Sequence, residues 1–119
     1  MSCSVLVVDD DSGFRDLAAR ILRGWGHVVI GQAGTVADAM ECAVELHPDA
    51  ALVDVGLPDG DGFELAERLV ALPKPVRVVL TSSDADRASA REAERVGARG
   101  FVGKADLSGP ELRRLLEGG

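Results

Sequence analysis

Two adjoining stretches decide the fold: Ser4-Val5-Leu6-Val7-Val8-Asp9-Asp10-Asp11 and, two residues on, Phe14-Arg15-Asp16-Leu17-Ala18-Ala19-Arg20-Ile21-Leu22-Arg23-Gly24-Trp25. The first is an unbroken apolar run that stops at three carboxylates. A short run without alternation predicts a strand buried on both faces. In the second, Phe14, Leu17, Ala18, Ile21, Leu22 and Trp25 recur at helical spacing and share one face. Ser12 or Asp11 can cap that helix, and Gly26 can end it.

The same alternation repeats outward from there. Apolar runs predict further strands over residues 27–31, 50–53, 76–80 and 100–103. Between them, helical periods cover residues 36–46, 63–72 and 84–96, and a last helix carries Leu112, Leu115 and Leu116. Thr35 with Asp38, and Ser108 with Glu111, have the spacing of capping boxes. Pro48 is expected to close the second helix. The helix over 84–96 is rich in Ala and charge, and Ala88, Ala93 and Val96 give it a thin apolar stripe. Doubly buried strands alternating with helices predict an α/β fold, a (βα)5 doubly wound five-stranded parallel sheet with helices on both faces. The chain of 119 residues is read as one domain, 1–119.

Composition narrows the function. Lys and Arg number 13 against 20 Asp and Glu, a net charge of −7, and aromatic residues are only 3% with no Tyr. Such a surface repels phosphate backbones and offers few stacking platforms, so direct nucleic-acid binding and anionic membranes are set aside. Cys3 and Cys42 lack metal spacing and fit free thiols in a reducing, cytoplasmic setting. No apolar stretch near the N-terminus is long enough for a leader or membrane span.

In an open parallel sheet, ligands bind beyond the carboxyl ends of the strands. The first strand ends there at Asp9-Asp10-Asp11, the third at Asp54, the fourth at Thr81-Ser82-Ser83, and the fifth is followed by Lys104. Any one of these residues alone is ordinary turn or surface chemistry. Together they crowd carboxylates that repel one another unless a cation joins them. An all-oxygen donor set suits Mg²⁺, with Mn²⁺ as a substitute, and a lysine beside it suits a phosphoryl group that Asp54 would accept as an acyl phosphate. Asp59 and Asp61 read as turn residues with Gly60 and Gly62, not as a calcium loop. His27 and His47 read as structural, without partners.

Val7-Val8-Asp9-Asp10, Asp54-Val55-Gly56-Leu57-Pro58 with Asp61-Gly62, Leu80-Thr81-Ser82, and Gly97-Ala98-Arg99-Gly100-Phe101 with Lys104 together resemble the receiver domain of two-component response regulators. The resemblance implies the flavodoxin-like strand order 2-1-3-4-5. It implies Asp54 as phosphoacceptor, and Asp9, Asp10, Asp54 and the Gly56 carbonyl around Mg²⁺. Thr81, Ser82 and Lys104 would meet the phosphoryl group, with Phe101 as the aromatic switch partner. Gly56 and Ser83 would flank the path of hydrolytic water. The implied function is a phosphoacceptor switch with self-catalysed phosphorylation and dephosphorylation, not a turnover enzyme. Its donor would be a histidine kinase or phosphotransfer protein. Its target would be a downstream protein effector or a fused output domain, with a phosphorylation-dependent dimer as one outcome. The alternative is a regulatory receiver domain cut from a longer DNA-binding transcriptional regulator.

Two residues depart from the family's commoner pattern. Lys104 precedes Ala105 where Pro is frequent, so a trans bond and a differently shaped loop are expected. Phe101 lacks the hydroxyl of the commoner Tyr. Two rival functions are weaker. An Asp-nucleophile phosphohydrolase usually carries a second acid two residues after the nucleophile, where this chain has Gly56. An interaction module that has lost phosphorylation would not need Asp9, Asp10, Asp54, Thr81 and Lys104.

Overall fold

A computed structural model describes residues 2–83 and 87–117. The elements in chain order are β1 (Ser4–Val8), α1 (Ser12–Gly24), β2 (Val28–Ala33), α2 (Val36–Leu46), β3 (Ala50–Asp54), β4 (Gly56–Leu57), β5 (Gly60–Asp61), α3 (Gly62–Val70), β6 (Arg77–Ser82), α4 (Arg87–Arg95), β7 (Gly100–Gly103), a single 3₁₀ turn (Lys104–Asp106) and α5 (Pro110–Glu117). Five strands form one parallel sheet in the order β2-β1-β3-β6-β7. Counting sheet strands alone, this is the expected 2-1-3-4-5.

The strands alternate faces, as a pleated ribbon must. Val5, Val7, Ala50, Leu52, Val79 and Val102 point toward α1 and α5, where they meet Ala18, Leu22, Leu112 and Leu116. Leu6, Val8, Ala51, Val53, Val78 and Leu80 point toward α2, α3 and α4, where they meet Ala39, Ala43, Leu65, Ala66, Leu69 and Ala93. The helices thus lie on both faces, and β3 at the centre is buried along its whole length.

Several boundaries differ from expectation. The fourth sheet strand does not stop at residue 80: β6 carries Thr81 and Ser82 inside the ladder, paired to Asp54 and Val102 and to Gly103 respectively. Hydroxyl residues there take the same backbone bonds as the apolar ones before them, which hydrophobic pattern cannot register. β3 likewise includes Asp54. β2 begins one residue later and ends two residues later than predicted, and a bulge shifts its register to β1 between Val5 and Leu6. As the sheet edge it is only partly covered. The predicted third helix starts one residue earlier and ends two earlier. The start of the helix predicted over 84–96 lies outside the described residues, as does the Ala88 side chain. α2 is closed by His47 in the left-handed conformation, φ 51°, one residue before Pro48. Glu111 forms no reciprocal cap with Ser108; its carboxylate accepts from Arg114 at 2.7 Å. His27 does have partners: its Nδ1 accepts the Cys3 backbone N–H at 3.1 Å, and its Nε2 meets Glu117 Oε2 at 3.1 Å.

The loop after β3 is not an open turn. β4 and β5 pair as a short antiparallel ribbon, Gly56 with Asp61 and Leu57 with Gly60. Asp61 caps α3 through the Phe63 N–H at 2.8 Å. Asp59 does more than turn the chain. Its carboxylate accepts the N–H groups of Val36 at 2.7 Å and Ala37 at 3.2 Å, the first turn of α2.

Candidate functional site

Asp9 follows the last residue of β1. Its backbone N–H donates to the Ala33 carbonyl at 3.0 Å, which continues the sheet and draws its carboxyl below the surface. The residue is fully buried. Oδ1 accepts the Asp11 N–H at 2.9 Å, and Oδ2 meets the Lys104 ammonium at 2.7 Å. Asp11 in turn caps α1 through the Gly13 N–H at 2.9 Å. Asp10, one residue on, is exposed.

Asp54 ends β3 beside Thr81 of β6 and keeps only 8% of its surface exposed. Oxygens of Asp9, Asp10 and Asp54 lie within 4.8 Å of one another. Burial holds the Asp54 carboxyl above the usual carboxylate range, and the Asp9 charge pushes it further; the Lys104 charge and the Gly56 backbone N–H pull it back. The outcome is a carboxylate more basic than one in water.

Lys104 leaves β7 at the start of the 3₁₀ turn. No peptide bond among the described residues is cis, so the bond to Ala105 is trans as expected. Its ammonium stands 3.6 Å from Asp54 Oδ2 and 4.4 Å from the centre of the Phe14 ring. Burial works against the charge, but the Asp9 hydrogen bond and the Asp54 and Asp9 carboxylates outweigh it and hold Lys104 above its ordinary value. Phe14 was legible only as a core position; its face toward the lysine is a cation–π contact that helical spacing does not reveal.

Thr81 is fully buried, and its Oγ1 has no hydrogen-bond partner. An unmet buried hydroxyl costs about 1–3 kcal/mol, so an acceptor brought to this end of β6 would be met favourably. Ser82 is half-buried and Ser83 exposed at the end of β6. Gly56 is exposed, with no atom within 4 Å of where a Cβ would stand. Phe101 sits one residue before Val102 and packs on the α2–α3–α4 side. Its ring stacks on Phe63 at 6.5 Å, nearly parallel. Phe63, expected only as part of the face of α3, is thus its partner across to β7.

The donor set fits Mg²⁺. It is all oxygen, three carboxylates from two strand ends, with one of them open to solvent. Mg²⁺ takes few protein ligands and keeps several waters, which the exposed side at Asp10 permits.

Residues 5–116 match the family model described as the response regulator receiver domain. The DNA-binding transcriptional activator DevR/DosR of Mycobacterium tuberculosis is 42% identical over 90 residues, 75% of this chain and 41% of that protein. Protein-glutamate methylesterase/protein-glutamine glutaminase 6 of Anaeromyxobacter dehalogenans is 38% identical over 118 residues, 95% of this chain and 33% of that protein. The chain therefore spans between a third and about two-fifths of the length of these relatives. Among solved structures, the signal receiver domain of the response regulator NarL from Mycobacterium tuberculosis superposes with a TM-score of 0.85 at 31% identity, covering 99% of this chain and 98% of that one.

Proposed function

This chain belongs to the response regulator receiver domain family, and from that premise we propose that Asp54 accepts a phosphoryl group from a phosphohistidine partner and that the bond it forms switches the domain. The reading is supported above all by one convergence. Three carboxylates within 4.8 Å, a lysine between two of them and a buried hydroxyl without a partner meet at neighbouring strand ends.

In the transfer, an Asp54 carboxylate oxygen attacks phosphorus, and the bond from phosphorus to the donor atom breaks with its electron pair leaving on the donor. Of the buried pair, Asp54 is the one with surface open to an incoming group, whereas Asp9 is fully enclosed. Lys104, 3.6 Å from Asp54 Oδ2, would meet the charge that builds up on the equatorial oxygens in a loose transition state. Mg²⁺, held by Asp9, Asp10, Asp54 and the Gly56 carbonyl, would neutralise the incoming phosphoryl charge. Thr81 Oγ1 gains in the phosphoryl group the acceptor it lacks. Gly56, which has no side chain, and the short Ser83 leave the water path open, so the groups standing at these two positions set how long the acyl phosphate lasts.

The domain acts as a switch and not as a turnover enzyme, and it works in the cytoplasm. Its output is a downstream protein effector or a fused output domain; relatives of both a DNA-binding and an enzymatic kind, DevR/DosR and a protein-glutamate methylesterase, share this domain. No helix among the described residues is long and apolar enough to cross a membrane.

The test is chemical. With Mg²⁺ and a small phosphodonor, the wild-type chain gains one base-labile phosphoryl group by mass, and Asp54→Asn gains none. Equal labelling of the variant removes Asp54 from the role.

A further inference from the structure

We infer that Asp59 is a positioning residue for the Mg²⁺ site, holding the Gly56 peptide in place by anchoring the β4–β5 ribbon to the first turn of α2. The inference rests on the phosphoacceptor reading of Asp54.

The first four N–H groups of any α-helix have no partner within it. In α2 the helical ladder begins with Ala39 N–H to the Thr35 carbonyl at 3.0 Å, and before it Asp38 N–H donates to Thr35 Oγ1 at 3.0 Å. The N–H groups of the first two helical residues, Val36 and Ala37, donate to Oδ1 and Oδ2 respectively of Asp59, which lies more than twenty residues later in the chain. The ribbon tip also packs on this turn, since a Cβ at Gly60 would stand 3.1 Å from Val36 Cγ2.

A ribbon of two residue pairs cannot hold itself. Leu57 sinks into the core on one side, and Gly62 N–H donates to the Val55 carbonyl at 2.9 Å at its far end. Between them Gly56 is exposed, without side-chain packing of its own, yet its N–H acts on the Asp54 carboxyl. The Gly56 carbonyl belongs to the next peptide, Gly56–Leu57, which the ribbon pairing and the buried Leu57 hold, and the tip of the ribbon is held by Asp59. Groups that orient a metal ligand from outside the coordination sphere commonly change affinity by about 10–100-fold when lost.

The experiment uses the whole chain and Mg²⁺ alone as the probe. Calorimetric Mg²⁺ affinity and amide exchange at Val36 and Ala37 are measured for wild type, Asp59→Ala, Asp59→Asn and Asp59→Glu. Asp59→Ala is expected to bind Mg²⁺ about tenfold more weakly, with faster exchange at both amides. Asp59→Asn, which keeps one acceptor oxygen for the shorter Val36 bond and loses the Ala37 bond, is expected to restore part of the affinity. Asp59→Glu keeps the charge but displaces the oxygens, and behaves like Ala; it carries the test should Asp59→Ala not fold. Labelling with a small phosphodonor, run beside Asp54→Asn, separates the two readings. Wild-type labelling absent or equal in Asp54→Asn ends the phosphoacceptor reading and this one with it. Correct labelling with wild-type Mg²⁺ affinity in Asp59→Ala, even at a lower melting temperature, leaves Asp59 a plain helix cap and overturns the inference alone. Asn failing alongside Ala overturns it too.

Discussion

Gly62 shows how tightly single residues are held around Asp54. A Cβ there would lie 2.1 Å from the Asp54 carbonyl oxygen and 2.6 Å from the Val55 Cα. Both are backbone, so no rotamer change relieves the contact. Gly62→Ala should cost about 3 kcal/mol or more, the upper end for overpacking, and should depress phosphorylation because the strand end itself must shift. Urea denaturation and labelling on one preparation check both; an unperturbed midpoint would mean the loop yields where its contacts say it cannot. At this scale the sequence was most legible. Asp9, Asp10, Asp54 and Lys104 stand together as strand-end logic predicts, because each lies at or just beyond the carboxyl end of a sheet strand. Asp59 was not legible in its role. Next to Pro58 and Gly60 it looks like turn chemistry, and its partners on α2 become neighbours only once the sheet has brought the loop across.

Elements differ in how firmly they are seated. α3 buries Gly62, Leu65, Ala66 and Leu69, whereas near α4 the described buried side chains are Ala93 and Val96. Helices with little apolar burial open at low free-energy cost and respond to small forces. Thr81 stands one residue before the end of β6, on the stretch of chain that leads to α4, so under the proposed switch a hydroxyl drawn toward a phosphoryl oxygen would pull on a helix with few described apolar anchors. Thr81→Ala should still accept phosphate. Amide exchange along α4 (Arg87–Arg95) should change on phosphorylation in wild type and much less in this variant. Equal responses in the two proteins would take Thr81 out of the switch. Losing a hydroxyl with no partner should leave the resting stability unchanged or slightly raised. At the element scale, hydrophobic period found the five sheet strands and the helices between them, but it misplaced ends. It missed the β4–β5 ribbon because two-residue strands have no period. It cut β6 short because Thr81 and Ser82 are polar yet hydrogen-bonded as strand.

The whole molecule follows from the alternating burial of its central strands, which is why the doubly wound sheet was readable from residues 4–25 and their repeats. The acidic excess was readable as well, and it bears on partners more than on fold. The division of the interior has a further consequence. The sheet is a septum one backbone thick, and the two half-cores on either side share no buried side chain. Mechanically, a disturbance crosses from one half to the other only through the main chain of the septum. Val7→Ala and Val78→Ala, on opposite sides and on strands separated by β3, should therefore sum in their destabilisation to within about 0.5 kcal/mol. Val7→Ala with Val79→Ala, which empty the same half, should not. Full double-mutant cycles by denaturant titration measure both couplings. A large coupling across the septum would show that it bends as one plate, and that packing changes behind α1 and α5 are felt directly beneath α3.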